Sequence, residues 1–289
     1  MSVRPRRLVV VTGTGTEIGK TWVSAALARA LRARGWVVSA RKPAQSFDPF
    51  DPFDPAGAAM HDADVLAEAT DENPADVCPP HRNYEVALAP PMAADALGRP
   101  GFTVAELAGE VAGSWPPHAV DVGIVELAGG FRSPQATSGA EGAGPAGDDC
   151  RAFADALAPD VLVVVADAGL GTINSVRSTL DAAGDAWRGA TVVILNRFDE
   201  SSDLHQRNLR WLSHVDGVDV VVSVGELTER VDASLERYCV ACGRTTVECD
   251  GCLDAFEAPR RCPRCGRRLR VVVAPTSVTA TCRLHGAIA

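Results

Sequence analysis

The sequence predicts an α/β protein, a mostly parallel sheet with helices on both faces, followed by a small Cys-rich C-terminal domain. Three observations carry this expectation. Short β-branched runs alternate with Ala/Leu-rich segments of helical spacing from residue 7 to about 225. A glycine-rich turn directly follows the first run, and seven of the nine cysteines crowd between Cys239 and Cys282. The 289 residues suffice for one full-sized core and a small appendage. The expected division is a body at 1–228, a linker at 229–237 and a metal-binding tail at 238–289.

Strands are expected at 8–11, 36–40, 122–127, 161–166, 191–196 and 218–222. Each is short and mainly apolar, as strands covered on both faces must be. Helices are expected between them at 20–34, 87–97, 104–113, 149–157, 173–183 and 203–215, with a charged helical segment at 226–238 leading to the tail. Two stretches break the rhythm. Residues 45–61 repeat Asp48-Pro-Phe, Asp51-Pro-Phe and Asp54-Pro, whose prolines exclude helix and central strand alike, and read as a surface loop. Residues 132–147, rich in Gly, Ala and Ser, read as a mobile loop.

The net charge of −9 is uneven, about +3 on residues 232–289 and about −12 on the remainder. An acidic body argues against non-specific nucleic-acid binding, and nine scattered arginines in the tail leave only a weak footprint there. No apolar run approaches the roughly 18 residues of a membrane span. The run at 8–11 is too short for a signal peptide, which places the chain in the cytoplasm.

Only two lysines occur, Lys20 and Lys42, against 26 arginines. Lysine persists in an Arg-rich chain where a compact, strongly hydrated point charge is needed. Lys20 closes the turn Thr12-Gly-Thr-Gly-Thr-Glu-Ile-Gly-Lys-Thr21, between a strand and a helix. Such a turn aims backbone N–H groups at phosphates, with Lys20 on the β and γ phosphates and the Thr21 hydroxyl placed for magnesium, so the body is P-loop NTPase-like. The first glycine of the usual spacing is replaced by Thr14, flanked by Gly13 and Gly15. Glu126 ends a buried strand, where a carboxylate is costly unless it meets a cation. Asp62 and Asp64 open a helix, and Asp62 reads as a helix cap only.

With Lys42-Pro-Ala-Gln-Ser46, Asp62-Ala-Asp-Val-Leu66, Ala89-Pro-Pro-Met-Ala93, Val125-Glu-Leu-Ala-Gly-Gly130, Gly169-Leu-Gly-Thr-Ile-Asn174 and Asn196, this loop makes seven sites in matching order and spacing. Residues 7–225 thereby resemble the dethiobiotin synthetases. The resemblance implies an ATP-dependent ligase of biotin formation. It would join CO2 to 7,8-diaminopelargonate, phosphorylate the carbamate and close the ureido ring as the second amine expels phosphate. Lys42 and Lys20 would be the catalytic cations, with Thr16 and Ser46 contacting the diamine. ATP would lie against Glu17, Ile18, Gly19, Lys20, Thr21, Trp22, Asp64, Glu126, Leu127, Ala128 and Gly129, with Asn196 on the base. Thr21, Asp64 and Glu126 would hold magnesium. Gly171, Thr172 and Asn174 would bind the substrate carboxylate from the neighbouring subunit, which implies a homodimer with shared sites. Leu127 departs from the family's usual Gly, and Ser223-Val-Gly-Glu-Leu lacks the proline of the base-binding segment, which leaves base preference open.

A regulatory P-loop ATPase switch of the chromosome-partitioning type shares this sheet and loop, but has no need of Lys42 or of a carboxylate-binding helix start. An amidotransferase-like ligase would need a nucleophilic cysteine, and neither Cys78 nor Cys150 has suitable surroundings.

The tail carries four short pairs, Cys239 with Cys242, Cys249 with Cys252, Cys262 with Cys265 and Cys282 with His285. Nineteen residues separate Cys242 from Cys262, close to zinc-ribbon spacing. Thiolates suit zinc and iron–sulfur clusters alike, so the spacing leaves the metal open. Tyr238-Cys-Val-Ala-Cys-Gly243, Arg261-Cys-Pro-Arg-Cys-Gly-Arg-Arg268 and Cys282-Arg-Leu-His-Gly286 resemble the small biotin synthase auxiliary proteins of actinobacteria. That resemblance implies biotin synthase as a partner. A ribbon that only mediates protein contacts is the other reading.

Overall fold

In a computed structural model of the chain, the first strand, β1 (Arg7–Gly13), lies at the centre of the sheet, its Leu8 to Val11 run buried on both faces. The structure describes residues 3–49, 60–137, 148–187, 189–233, 235–249, 252, 258–274 and 277–288. They fall into two units, 1–115 with 120–231, and 116–119 with 232–289.

In the first unit, α1 (Lys20–Ala33) and β2 (Val38–Arg41) follow β1. A short strand, β3 (Gln45–Ser46), then precedes α2 (Asp62–Thr70), α3 (Pro74–Val77), β4 (Asn83–Tyr84), α4 (Pro90–Ala96) and α5 (Val104–Ser114). The remaining elements are β5 (Val122–Glu126), α6 (Cys150–Leu157), β6 (Val161–Asp167), α7 (Thr172–Ala183), β7 (Thr191–Asn196), α8 (Asp203–Arg210), β8 (Val220–Val221) and α9 (Val224–Asp232). Strands β2, β5, β1, β6, β7 and β8 form one parallel sheet in that order. Val11 pairs with Glu126 and Gly13 with Val165, so the chain leaving β1, β5 and β6 emerges at one carboxyl edge, where ligands bind in such sheets.

Several boundaries differ from the sequence expectation for identifiable reasons. The helix expected at 87–97 starts at Pro90, because two prolines fit a first helical turn and lack the N–H that an interior needs. The helix expected at 203–215 stops at Arg210 and continues as a π turn, Trp211–Val215. The stretch expected as a loop from 45 begins with strand pairing of β3 to β4, held by Gln45, whose amide reaches Asn83 and whose carbonyl accepts from the backbone of Ala63. The remainder of that stretch at 50–59, and most of the expected mobile loop, 138–147, lie outside the described residues. Among the described residues no helix is long and apolar enough to cross a membrane.

The second unit holds an antiparallel sheet of β9 (Arg270–Ala274), β10 (Ser277–Cys282) and β11 (Gly286–Ala287). Its buried cluster is small, with Leu269 and Ala280 beside Cys262 and Cys282.

Candidate functional site

The loop leaving β1 is folded back on itself by contacts that only its own residue types permit. Gly19 adopts φ +91°, and a Cβ there would lie 2.2 Å from Nδ2 of Asn196, which donates to the carbonyl of Ile18 at 2.8 Å. Arg197 reaches the carbonyl of Glu17 at 3.0 Å. Helix α1 starts at Lys20 without a side-chain cap, which leaves its first N–H groups for an anion. The Lys20 ammonium is buried and donates to the carbonyl of Gly15 at 2.8 Å. Thr16, Glu17 and Trp22 are exposed around the loop.

Lys42 follows β2 and is 3% exposed. Its ammonium lies 2.6 Å from Oε1 of Glu126 and 2.6 Å from Oδ2 of Asp62. The Thr21 hydroxyl lies 2.6 Å from Oδ1 of Asp62 and 2.9 Å from Oε1 of Glu126. These four residues form a closed knot of charge beside the phosphate loop. Burial works to deprotonate Lys42, but Glu126 and Asp62 outweigh it and raise its pKa above the ordinary lysine value. Burial likewise works to protonate Asp62, and Lys42 with the Thr21 hydroxyl holds its pKa below the usual carboxylate range. Lys20 moves the other way, lowered first by burial and then by the neighbouring Lys42.

The second oxygen of Glu126, Oε2, is buried and has no hydrogen-bond partner among the described residues. An orphaned carboxylate oxygen beside a second carboxylate and a threonine hydroxyl is a donor set for a hard divalent cation, so the residues fit magnesium.

Asp64, expected among the magnesium ligands, does not lie in this group of side chains. It stands at the third position of α2, where its carboxylate accepts from the backbone N–H of His61 at 3.0 Å. Asp62 stands one position after the cap, which turns its carboxylate to Thr21 instead. Asp62, read from the sequence as a helix cap only, is the aspartate that the structure brings against Lys42 and Thr21.

The turn after β5 packs on the phosphate loop. Leu127, in place of the usual glycine, is fully buried in the core of the unit, and its N–H donates to Val11 at 2.9 Å. Ala128 is held by Gln135 at 3.2 Å, and a Cβ on Gly130 would sit 3.5 Å from the backbone of Gly15. Gly129 turns with φ +71°. Asn196 ends β7, engaged with the loop itself. Ser46 donates to the carbonyl of Leu88 at 2.6 Å. Helix α7 begins at Thr172 after Gly171, with no side-chain cap; Asn174 is exposed, and the buried Thr172 hydroxyl has no partner among the described residues. Cys78 and Cys150 are buried, and burial pushes both thiols up to about 12, which makes them poor nucleophiles.

In the second unit, the side-chain atoms that could hold a metal form two groups, each with all four atoms within 4.8 Å of one another. Cys239, Cys242, Cys249 and Cys252 make the first; Cys262, Cys265, Cys282 and His285 make the second. The pairs that the nineteen-residue spacing associates therefore belong to different groups.

Comparison with known proteins accords with this geometry. A family model described as an AAA domain matches residues 7–233. The chain is 37% identical over 218 residues to the ATP-dependent dethiobiotin synthetase BioD of Rhodococcus jostii (strain RHA1), spanning 75% of this chain and 85% of that protein. It is 37% identical over 214 residues to the BioD of Anaeromyxobacter sp. (strain K), spanning 72% and 86%. It is 28% identical over 219 residues to that of Brachyspira hyodysenteriae (strain ATCC 49526 / WA1), spanning 74% and 90%.

Proposed function

The chain belongs to the dethiobiotin synthetase family, ATP-dependent ligases of biotin biosynthesis, and from that premise we propose that its body carboxylates 7,8-diaminopelargonate with CO2 and closes the ureido ring. The observation that carries the reading is the buried Lys42 ammonium held 2.6 Å from both Asp62 and Glu126 at the edge of the phosphate loop. A nucleotide-dependent switch needs no second buried lysine there.

Addition of CO2 to one amine yields a carbamate and releases a proton. A carbamate oxygen then attacks the γ-phosphorus and ADP leaves. The second amine attacks the carbamoyl carbon and expels phosphate. Each phosphoryl step brings negative groups together, so the protein's task is chiefly positioning and charge compensation. Lys42, kept protonated by its two carboxylates, serves as a cation at the carbamate and γ-phosphate rather than as a base. Lys20 and the N–H groups from Glu17 to Trp22 receive the phosphates. Thr21, Asp62 and Glu126 would hold magnesium, which when bound neutralises phosphate charge. Thr16 and Ser46 contact the diamine, and Asn196 with the turn Leu127 to Gly129 borders the nucleotide. Gly171, Thr172 and Asn174, at an uncapped helix start, bind the substrate carboxylate across a homodimer. The tail, on the strength of its Cys-Gly motifs, serves biotin synthase as a partner.

The test is ATP-dependent incorporation of labelled bicarbonate into an acid-stable product by the purified chain with magnesium and 7,8-diaminopelargonate. Incorporation requiring both ATP and the diamine is the expected result. Substrate-independent ATP hydrolysis without incorporation would overturn the reading.

A further inference from the structure

We propose that the C-terminal unit is a two-ion module, in which Cys239, Cys242, Cys249 and Cys252 hold one zinc ion and Cys262, Cys265, Cys282 and Nδ1 of His285 hold a second. The inference rests on this unit alone and stands apart from the synthetase reading.

Distances argue for single ions. Zinc–thiolate bonds of about 2.3 Å in a tetrahedron put the sulfurs about 3.8 Å apart. In the first group Cys239 and Cys252 are 3.4 Å apart, Cys249 and Cys252 3.5 Å, and Cys242 and Cys249 3.8 Å. In the second, His285 Nδ1 lies 3.3 Å from Cys262 and 3.5 Å from Cys282, with Cys265 3.9 Å from Cys282. An iron–sulfur cluster shares its thiolates among several irons, which spreads them more widely. Four sulfurs, or three sulfurs and an imidazole, are donor sets for tetrahedral zinc. Four protein ligands leave no open position, so both ions are structural.

The backbone repeats one device twice. Gly243 donates to the carbonyl of Cys239 and Gly266 to that of Cys262, each at 2.8 Å. Cys239 donates to Arg244 at 2.7 Å and Cys262 to Arg267 at 2.8 Å, closing two like turns. Each turn is flanked by a bridge, Tyr238 with Thr245 and Arg261 with Arg268. The two glycines adopt φ +77° and +66°, and a Cβ on either would lie 2.9 Å from the other's carbonyl oxygen. The turns thus abut through their glycines while their cysteines serve separate ions. The apolar side chains cannot replace the metal, since Val272, Val273 and Val278 remain 52%, 69% and 42% exposed. So small a core needs the free energy of metal binding to fold.

The test is metal analysis of the full-length protein, with Cys249→Ser and Cys282→Ser variants. Two zinc ions per chain, without iron or acid-labile sulfide, are expected, with each variant losing one equivalent and keeping the other. Should a variant fail to fold, zinc X-ray absorption of the unmodified chain decides, because two ions share seven sulfurs and one nitrogen in this arrangement. One ion per chain, a sulfur-only shell, or iron with labile sulfide would overturn the proposal. Bicarbonate incorporation bears on none of these outcomes.

Discussion

The proposal that Asp62 rather than Asp64, two positions on, holds magnesium makes a sharp prediction. Asp62→Asn leaves Lys42 paired with Glu126 at 2.6 Å, so no buried ammonium is stranded and the fold should survive. It removes one of the two carboxylates that balance Lys20 and Lys42, leaving the site one positive charge richer. Loss of an outer-shell partner typically costs 10–100-fold in metal affinity, and loss of a ligand should reach at least the upper end, about 100-fold or roughly 2.8 kcal/mol. The magnesium concentration for half-maximal bicarbonate incorporation should therefore rise about 100-fold. Asp64→Ala removes only the acceptor for the His61 N–H, worth about 1 kcal/mol of helix stability. For a unit of this size that lowers Tm by about 2–4 °C with the magnesium requirement unchanged. Magnesium titrations at saturating ATP and diamine, beside thermal melts, separate the two. A raised magnesium requirement in Asp64→Ala with a normal one in Asp62→Asn would refute the assignment.

Lys42→Arg should keep nucleotide binding, read by fluorescent-nucleotide titration, yet lose about 100-fold or more in turnover, because a planar guanidinium cannot replace a compact, buried ammonium held against the buried Glu126. Gly19→Ala forces a left-handed residue and a contact with Asn196, costing about 1–2 kcal/mol from the backbone alone, and should weaken nucleotide binding in the same titration. Because the folded pKa of Lys42 is raised, its stabilising contribution is fully present below the ordinary lysine value and is lost only as pH rises through the raised one. The pH–rate profile between about pH 6 and 9 should then show no limb from Lys42. Asp62 has the opposite sign: its contribution is present above the ordinary carboxylate pKa and lost as pH falls through its depressed folded value. Any stability difference between the wild type and Asp62→Asn, followed by melts on acidification, should accordingly close below about pH 4.

The central strands were legible because a parallel sheet covered on both faces must be written as apolar runs, and the phosphate loop because its glycines and lysine sit between such a run and a helix former. Illegible features were those decided by rotation or by distance in space. Asp62 and Asp64 are chemically alike in the sequence, and a two-residue displacement along the helix decides which carboxylate meets Thr21 and which closes the helix start. The cysteines pose the same difficulty at longer range. Nineteen residues separate Cys242 from Cys262 and sixteen separate Cys265 from Cys282, so both intervals satisfy the ribbon template. Only six lie between Cys242 and Cys249, yet that short interval closes the first group. Spacing bounds which thiolates can reach a common ion, whereas the choice among them is settled in space: the turns at Gly243 and Gly266 abut, yet each Cys-x2-Cys pair is grouped with residues from the chain that follows it.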